Sequence, residues 1–213
     1  MHFLSPELET YLVDNLPQES ELLTDLARET HLKVLQPRMI TDHYQGRLLS
    51  LLSSIIQPQF ILEIGTYTGY GSLCLAEGLK NNGQLHTIEI NPELQWIQNK
   101  YFQRSAYRSQ IHQHLGDAAE VIPKLENIFD LIFIDGQKVA YDDYYEAALK
   151  KTKPGSVILC DNTLWSGKVA KPVAADDKAT EALQKFNTKL KEDPRVQMLI
   201  LPVRDGLSLC RVL

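Results

Sequence analysis

The sequence contains little cysteine, no apolar run long enough to span a membrane, and no excess of positive charge. Its three cysteines, Cys74, Cys160 and Cys210, are scattered through 213 residues and match neither a zinc-binding spacing nor a disulfide framework. No apolar run approaches the roughly 20 residues that a membrane-spanning helix needs. The first residues lack the charged-then-apolar pattern of a signal peptide. We therefore expect a reduced, cytoplasmic protein without a membrane partner.

The charge balance is acidic, with 22 Lys and Arg against 27 Asp and Glu and a formal net charge of -5 at pH 7. This balance gives no basic footprint for nucleic acid, although a local basic patch can exist on an acidic protein. No repeat or linker divides the chain. The length predicts a single domain, residues 1–213, in which a helical segment, residues 1–57, precedes the core, residues 58–213.

Residues 1–57 have the spacing of three helices. Ser5-Pro6-Glu7 is typical of a helix start, because serine caps the first N–H groups and proline is accommodated in the first turn. The stretches SPELETYLVDNL and QESELLTDLARETHL predict the first two helices. The stretch TDHYQGRLLSLLSSIIQP places leucine and isoleucine on one helical face and ends at Pro58.

From Phe60 onward, short apolar runs alternate with helical stretches. This alternation predicts right-handed strand–helix–strand units, and hence a parallel sheet with helices on both faces. The predicted strands are FILEI (60–64), QLHTIEI (84–90), QIHQHL (110–115), LIFI (131–134) and SVILC (156–160). The last two apolar runs, VQMLILPV and LSLCRVL, flank Arg204-Asp205-Gly206, a turn signal that predicts an antiparallel hairpin.

A glycine-rich turn follows the first predicted strand. Gly65, Gly69 and Gly71 permit close approach of the backbone to a ligand, and the next helix offers unpaired N–H groups. The spacing G-x-x-x-G-x-G differs from the dinucleotide fingerprint, which disfavours a nicotinamide cofactor. A smaller ligand with a carboxylate fits better, and a tight connection without a ligand is the alternative.

Acids follow the second and third predicted strands. Glu89 ends the second strand, where an acid in this kind of sheet is placed to hold the hydroxyls of a ribose. Its alternative is an exposed acid at a strand end. In Gly116-Asp117-Ala118, Asp117 is a good helix cap, and the same backbone would meet an adenine edge if adenosine lies across the sheet.

Two carboxylates and a carboxamide end the fourth and fifth predicted strands. Asp135 follows one strand, and Asp161 with Asn162 follows the next. Neighbouring strand ends lie close together, so two acids there repel each other unless a cation is present. Ligand atoms that are all oxygen favour Mg²⁺, Mn²⁺ or Ca²⁺ over zinc. The alternative is a capped turn beside a loop acid.

Lys138 lies three positions after Asp135. A lysine close to a divalent cation holds its proton less tightly, because like charge lowers its pKa. Such a lysine is suited to act as a general base at neutral pH. The alternative is a salt bridge to Asp142 or Asp143.

Together these motifs resemble the cation-dependent, S-adenosylmethionine-dependent O-methyltransferases, the group of caffeoyl-CoA and catechol O-methyltransferases and their bacterial relatives. The matching stretches, in family order, are RMITDHYQGRLL, LEIGTYTGYGS, TIEINPE, GDAAEVIP, FIDGQKVAYDDYYE, CDNTLWSG and VRDGLSLCRV. The resemblance implies a Rossmann-like class I methyltransferase of the α/β class. Its sheet would be mostly parallel and seven-stranded, with a C-terminal antiparallel hairpin and helices on both faces.

The resemblance also implies residue roles. Asp135, Asp161 and Asn162 would bind the divalent metal, Mg²⁺ above all, and Lys138 would be the catalytic base beside Asp135. Trp165 would shape the acceptor pocket with Lys138, and the helical N-terminal segment would close over the site. The residues at the S-adenosylmethionine site would be Met39, Thr41, Glu63, Gly65, Tyr67, Gly69, Ser72, Glu89, Asp117, Ala118 and Asp135.

The sequence departs from the family pattern at the glycine turn and at the acceptor site. The family usually has serine at the position of Gly71, whereas the serine here is Ser72. Gly136 stands where the animal catechol enzymes begin a bulky aromatic pair, which suggests a more open pocket. The stretch MLILPV lacks the acid that those enzymes carry near the catechol, so strict catechol specificity does not transfer.

The implied activity is methyl transfer to a hydroxyl of a catechol-like or vicinal-diol small molecule, by a homodimer. Some bacterial relatives methylate hydroxylated uridine in tRNA, so O-methylation of 5-hydroxyuridine in tRNA is the alternative. A modest basic rim would serve that alternative, although ordinary solvated surface residues would give the same pattern. The candidate rim residues are Lys33, Arg38, Arg47, Arg104, Arg108 and Lys168.

Overall fold

The computed structural model describes residues 4–213, whose strands form one seven-stranded sheet in the order β3-β2-β1-β4-β5-β7-β6. The strands are β1 (Phe60–Ile64), β2 (Gln84–Glu89), β3 (Ile111–Leu115), β4 (Leu131–Ile134), β5 (Val157–Asp161), β6 (Val196–Leu201) and β7 (Leu207–Val212). Strand β7 is antiparallel to both β5 and β6, and the other pairs are parallel. The predicted fold is confirmed, including the terminal hairpin.

Helices lie on both sides of this sheet. They are α1 (Pro6–Asp14), α2 (Glu21–Lys33), α3 (His43–Ile56), α4 (Tyr70–Ala76), α5 (Gln95–Arg104), α6 (Ala118–Val121), α7 (Tyr141–Leu149) and α8 (Lys178–Glu192). Side-chain caps begin several of them: Ser5 for α1, Ser20 for α2 and Asp42 for α3 each accept a backbone N–H bond. No helix within residues 4–213 is long and apolar enough to cross a bilayer.

The sequence patterns above do not predict helix α8. Its polar residues outnumber its apolar ones, so the stretch lacks an obvious hydrophobic run. Leu183, Phe186 and Leu190 nevertheless recur at helical spacing and are buried, and Asp177 caps the first turn. These two signals would have predicted the helix.

Alternating side chains of the strands form two apolar cores, one on each face of the sheet. In β4, Leu131 and Phe133 pack with residues of α2 to α5, whereas Ile132 and Ile134 pack with residues of α6 to α8. A strand buried on both faces reads as a continuous apolar run, which explains the LIFI pattern.

The order of the strands places the predicted site residues at one edge. Strands β2, β1, β4 and β5 are neighbours and run parallel, so their carboxyl ends point the same way. The chain order reverses between β1 and β4, and ligands of open α/β sheets bind beside such a reversal.

Candidate functional site

The turn after β1 is shaped by close backbone packing. Gly65 has φ +98°, and a Cβ atom there would lie 2.2 Å from the carbonyl oxygen of Asp135. Gly69 has φ +93°, and a Cβ atom there would lie 2.6 Å from the ring of Phe102. Only glycine fits either position without strain. The turn thus lies directly against the end of β4.

Glu89 holds this turn through backbone N–H groups. One carboxylate oxygen accepts from the Tyr67 N–H at 2.7 Å, and the other accepts from the Asn91 N–H at 2.9 Å. Tyr67 itself has φ 49°, a left-handed conformation that a tyrosine rarely adopts. Glu89 therefore stabilises a strained backbone at the site, and its partly exposed side chain remains at the sheet edge.

Glu63 is buried in the wall of the predicted cofactor pocket. Its carboxyl group accepts hydrogen bonds from the hydroxyls of Ser72 and Thr87, the latter at 2.6 Å. Burial raises the pKa of Glu63 to about 8, although the two hydrogen bonds act to lower this pKa. The structure places Ser72, which is fully buried, behind Glu63 rather than in the pocket wall. Gly71 lies at the wall instead, where a Cβ atom would be 2.9 Å from Glu63.

A segment before α3 covers this pocket. Met39, Ile40 and Thr41 line it together with the β1–α4 turn and Asp135, and the free volume left between them is about 10 Å³. The Tyr67 hydroxyl lies 3.1 Å from the carbonyl oxygen of Leu35 and so ties the turn to the covering segment. The covering segment and the turn therefore lie against each other in this structure.

Asp117 and Ala118 lie at the end of β3, as the prediction required. Asp117 caps α6 by accepting the Ala119 N–H at 2.8 Å, and Ala118 is buried. The capping role is shown, and a contact with adenine stays a prediction.

At the end of β4, Lys138 contacts Asp135. Its Nζ donates to the carboxylate of Asp135 at 2.8 Å and to the hydroxyl of Tyr141 at 2.7 Å. The Lys138 side chain is only 12% exposed. The predicted alternative, an ion pair with Asp142 or Asp143, does not occur, and Asp142 instead pairs with Lys189.

At the end of β5, Asp161 is buried and hydrogen-bonded on both oxygens. Gln45 Nε2 donates to one oxygen at 2.7 Å, and the Asn162 N–H donates to the other at 2.7 Å. Burial raises the pKa of Asp161 to about 6, and the neighbouring Asp135 adds to this effect. Since β4 and β5 are paired, the structure brings Asp135 and Asp161 to one place.

The donor set suits a hard divalent cation. Within residues 4–213, no group of three or more His, Cys, Asp or Glu side chains is arranged to hold a metal ion. The predicted set has two carboxylates and one carboxamide, and all its ligand atoms are oxygen. Repulsion between Asp135 and Asp161 is the electrostatic situation that a cation relieves. Asn162 is held at φ 57°, a backbone strain of the kind found at ligand sites.

The loop after β5 is strained and is fastened by the terminal hairpin. Trp165 and Ser166 have φ 46° and 53°, and Asp205 accepts hydrogen bonds from the N–H groups of both. The Trp165 ring packs against the core, and its indole N–H is buried without a partner among the described residues. The loop and the Trp165 ring next to Asn162 are therefore held in place, and a contact between Trp165 and the acceptor stays a prediction.

Gly136 does not open the pocket, contrary to the expectation from the sequence. A Cβ atom at this position would lie 2.7 Å from the ring of Tyr144 and 3.4 Å from Ile64. The space that a side chain would occupy is thus already filled by α7 and β1.

The sequence patterns above do not identify three further site residues. Gln45 joins Asp161 to Arg204, whose guanidinium donates to Gln45 at 2.8 Å and pairs with Asp42 at 3.1 Å. Tyr141 contacts Lys138. Gln45 and Arg204 have no local signal, because they meet the site across 116 and 159 residues. Tyr141 stands three residues after Lys138, and a spacing of one helical turn would have suggested the contact.

The strand-end acid Glu89, the glycine turn and the Asp135–Lys138 pair lie where the strand order reverses, the place where Rossmann-like enzymes bind their ligands. The profile of the O-methyltransferase family matches residues 14–213, and the chain belongs to this family. It is 31% identical to a catechol O-methyltransferase of Niastella koreensis over 95% of each chain. It is 32% identical to a caffeoyl-CoA O-methyltransferase of Petroselinum crispum, over 92% of this chain and 85% of that protein.

Solved structures agree with this assignment. The O-methyltransferase TomG of Streptomyces achromogenes, in complex with S-adenosylmethionine, matches with a TM-score of 0.89, 29% identity and coverage of 97% and 96% of the two chains. A Bacillus cereus O-methyltransferase in complex with S-adenosylhomocysteine matches with a TM-score of 0.90, 28% identity and coverage of 97% of each chain. The protein is therefore an S-adenosylmethionine-dependent O-methyltransferase that acts on hydroxyl groups.

Proposed function

We propose that this enzyme methylates a hydroxyl of a catechol-like or vicinal-diol small molecule and requires a divalent cation, with Mg²⁺ as the first choice. The observation that carries the proposal is the convergence of two carboxylates and a lysine at the ends of β4 and β5. Relatives that are named for catechol and caffeoyl-CoA, both carriers of adjacent ring hydroxyls, support the acceptor class.

In this mechanism the residues divide the tasks. Asp135, Asp161 and Asn162 would hold the cation, which when bound lowers the pKa of an acceptor hydroxyl. Lys138 takes the hydroxyl proton on Nζ, and the acceptor oxygen then forms a bond to the methyl carbon as the carbon–sulfur bond breaks. A negative oxygen and a positive sulfonium thereby become neutral ether and thioether. Little new charge develops, so alignment of oxygen, methyl and sulfur supplies much of the rate.

Charge pairing on the surface favours the small-molecule acceptor over tRNA. Four members of the predicted basic rim are already in ion pairs: Lys33 with Glu29, Arg47 with Glu77, Arg104 with Asp25 and Lys168 with Asp177. Only Arg38 and Arg108 are left without an ion pair in the described part of the chain. Binding of tRNA that weakens steeply with salt would contradict this choice.

We also propose a homodimer. Helix α1 has no buried residue, and its Leu8 and Tyr11 are exposed, as are Leu51 and Ile55 of α3. Exposed apolar side chains of this size are typical of surfaces that pack against a partner. Light scattering coupled to gel filtration should give twice the 24.2 kDa chain mass, and a monomer would contradict the proposal.

Metal removal tests the proposed function. The purified enzyme should methylate a dihydroxyphenyl acid, detected as a mass gain of one methylene group, and EDTA should abolish the reaction until Mg²⁺ is added in excess. The monohydroxy analogue is the matched control and should be a poor acceptor, because it offers one oxygen instead of two. Full activity in EDTA would contradict the metal requirement.

A further inference from the structure

The amino group of Lys138 is held in two directions out of three. A lysine nitrogen has three positions besides its carbon, each filled by a proton or, in the neutral amine, by the lone pair. Two of these positions face Asp135 at 2.8 Å and Tyr141 at 2.7 Å. If both contacts are kept, only the third position of the nitrogen is left for an acceptor.

The hydroxyl of Tyr141 is itself fixed. It donates to the backbone carbonyl of Asp161 at 2.9 Å, so its oxygen lone pairs remain available to Lys138. The ring is 1% exposed and packs edge-on against Phe186 with centroids 5.5 Å apart. Burial raises the pKa of Tyr141 well above its ordinary value, so the hydroxyl stays protonated and keeps these roles.

We propose that Tyr141 is a positioning residue for Lys138, whose Nζ it holds beside Asp135 so that the third position of the nitrogen faces the acceptor hydroxyl. This inference rests on the proposed function, because it requires Lys138 to act as the base. The Tyr141 side chain is buried, so it would act through its contact with Lys138. It restricts the Lys138 amino group to one orientation, in which the contacts with Asp135 and Tyr141 are kept and the third position is left for the acceptor.

The variant Tyr141→Phe tests this role, with Tyr145→Phe as the matched control. Tyr145 lies on the same helix and packs edge-on against the same Phe186, with centroids 5.7 Å apart. Its hydroxyl donates to Asp193 at 2.9 Å, away from Lys138. Both substitutions remove one buried hydroxyl, so a general effect of the loss on folding should appear in both.

We expect Tyr141→Phe to lower kcat roughly 10- to 100-fold, a part of the roughly 10²–10⁴-fold that general-base catalysis contributes. The Kd for S-adenosylhomocysteine and the Kd for Mn²⁺ should stay within twofold of the wild type. Tyr145→Phe should leave all three unchanged. In a Lys138→Met background, Tyr141→Phe should cause no further loss, because residues that act through one another are not additive. A kcat within twofold of the wild type for Tyr141→Phe, or an equal further loss without Lys138, would overturn the proposal.

A measurement without turnover completes the test. In lysine-selective ¹⁵N NMR spectra, the Lys138 ammonium signal, assigned by its absence in Lys138→Met, should move or broaden in Tyr141→Phe and stay in place in Tyr145→Phe. An unchanged signal in Tyr141→Phe would overturn the positioning role. Weaker Mn²⁺ binding in Tyr141→Phe would also overturn it, because the hydroxyl would then act through Asp161. Wild-type kcat in Lys138→Met would instead show that the proposed base is wrong.

Discussion

The two halves of the sheet edge hold their acids in different ways. On the cofactor side, at the ends of β1 and β2, Glu63 and Glu89 accept hydrogen bonds from uncharged hydroxyl and backbone N–H groups. On the acceptor side, at the ends of β4 and β5, Asp135 and Asp161 share one nearby cation, Lys138.

This difference separates two kinds of binding. On the cofactor side, backbone N–H groups bond both oxygens of Glu89 and two hydroxyl groups bond one oxygen of Glu63, so the donors at both acids are neutral. The acceptor side has two carboxylates for one lysine, and one of them, Asp161, is buried, so the site carries surplus negative charge. Surplus buried charge is costly, and the divalent cation that we propose would balance it.

The largest loss of activity should follow from a substitution on the acceptor side, at the ends of β4 and β5. Asp161→Ala should lower kcat by at least 100-fold, because it removes a ligand and leaves Gln45 Nε2 without its acceptor. Isothermal titration should still show binding of S-adenosylhomocysteine within about threefold of the wild type. Unchanged turnover would show that this cluster is not the site.

A smaller loss, in cofactor affinity, should follow from a substitution on the cofactor side, at the ends of β1 and β2. Glu89→Gln replaces a charged acceptor by a neutral one at the Tyr67 and Asn91 N–H groups and at the expected ribose position. Hydrogen bonds to charged groups contribute about 1.5–3 kcal/mol, so the Kd for S-adenosylhomocysteine should rise roughly 10- to 100-fold. At saturating cofactor, kcat should fall much less. A loss of kcat with unchanged Kd would reverse the assignment of the two sides.

The smallest predicted effect is a pH dependence of folding stability that arises from the histidines of β2 and β3. His86 Nδ1 lies 3.0 Å from His114 Nε2, and His112 stacks on His86 with ring centroids 5.0 Å apart. Burial, then the two histidine neighbours, lowers the pKa of His86 from 6.5 to about 4, and burial also lowers that of His114. The folded state therefore favours the neutral rings, so their contribution to stability is present above about pH 6.5.

That contribution should be lost as the pH falls from about 6.5 towards 4, because the unfolded chain then binds protons that the folded protein does not. Denaturant unfolding at several pH values should show this slope, and His86→Leu should flatten it. If stability changes with pH equally in the wild type and in His86→Leu, the histidines of β2 and β3 are not the origin of this pH dependence.

The elements that define the fold were predictable because their signals are local. The runs FILEI and LIFI are buried on both faces. The glycine turn and the Asp-Gly hairpin contain residues that favour the backbone conformation of a turn. The positions of Asp135, Lys138 and Asp161 at one edge followed from the parallel order alone.

What could not be predicted depends on contacts between distant segments. Gln45 reaches Asp161 from α3, Arg204 reaches Gln45 from the hairpin, and no pattern along the chain connects them. Gly136 seemed to open space that the Tyr144 ring in fact fills, because the direction of a missing side chain is set by packing. Ser72 turns towards Glu63 for the same kind of reason.

The central claim is that the acceptor side binds a divalent cation, and Mn²⁺ binding tests it most directly. Electron paramagnetic resonance should detect one bound Mn²⁺ per chain in the wild type. In the double variant Asp135→Asn/Asp161→Asn, which keeps the shape but removes both charges, binding should weaken at least 100-fold, while Glu89→Gln should bind as the wild type does. Equal Mn²⁺ affinity in the wild type and the double variant would contradict the account.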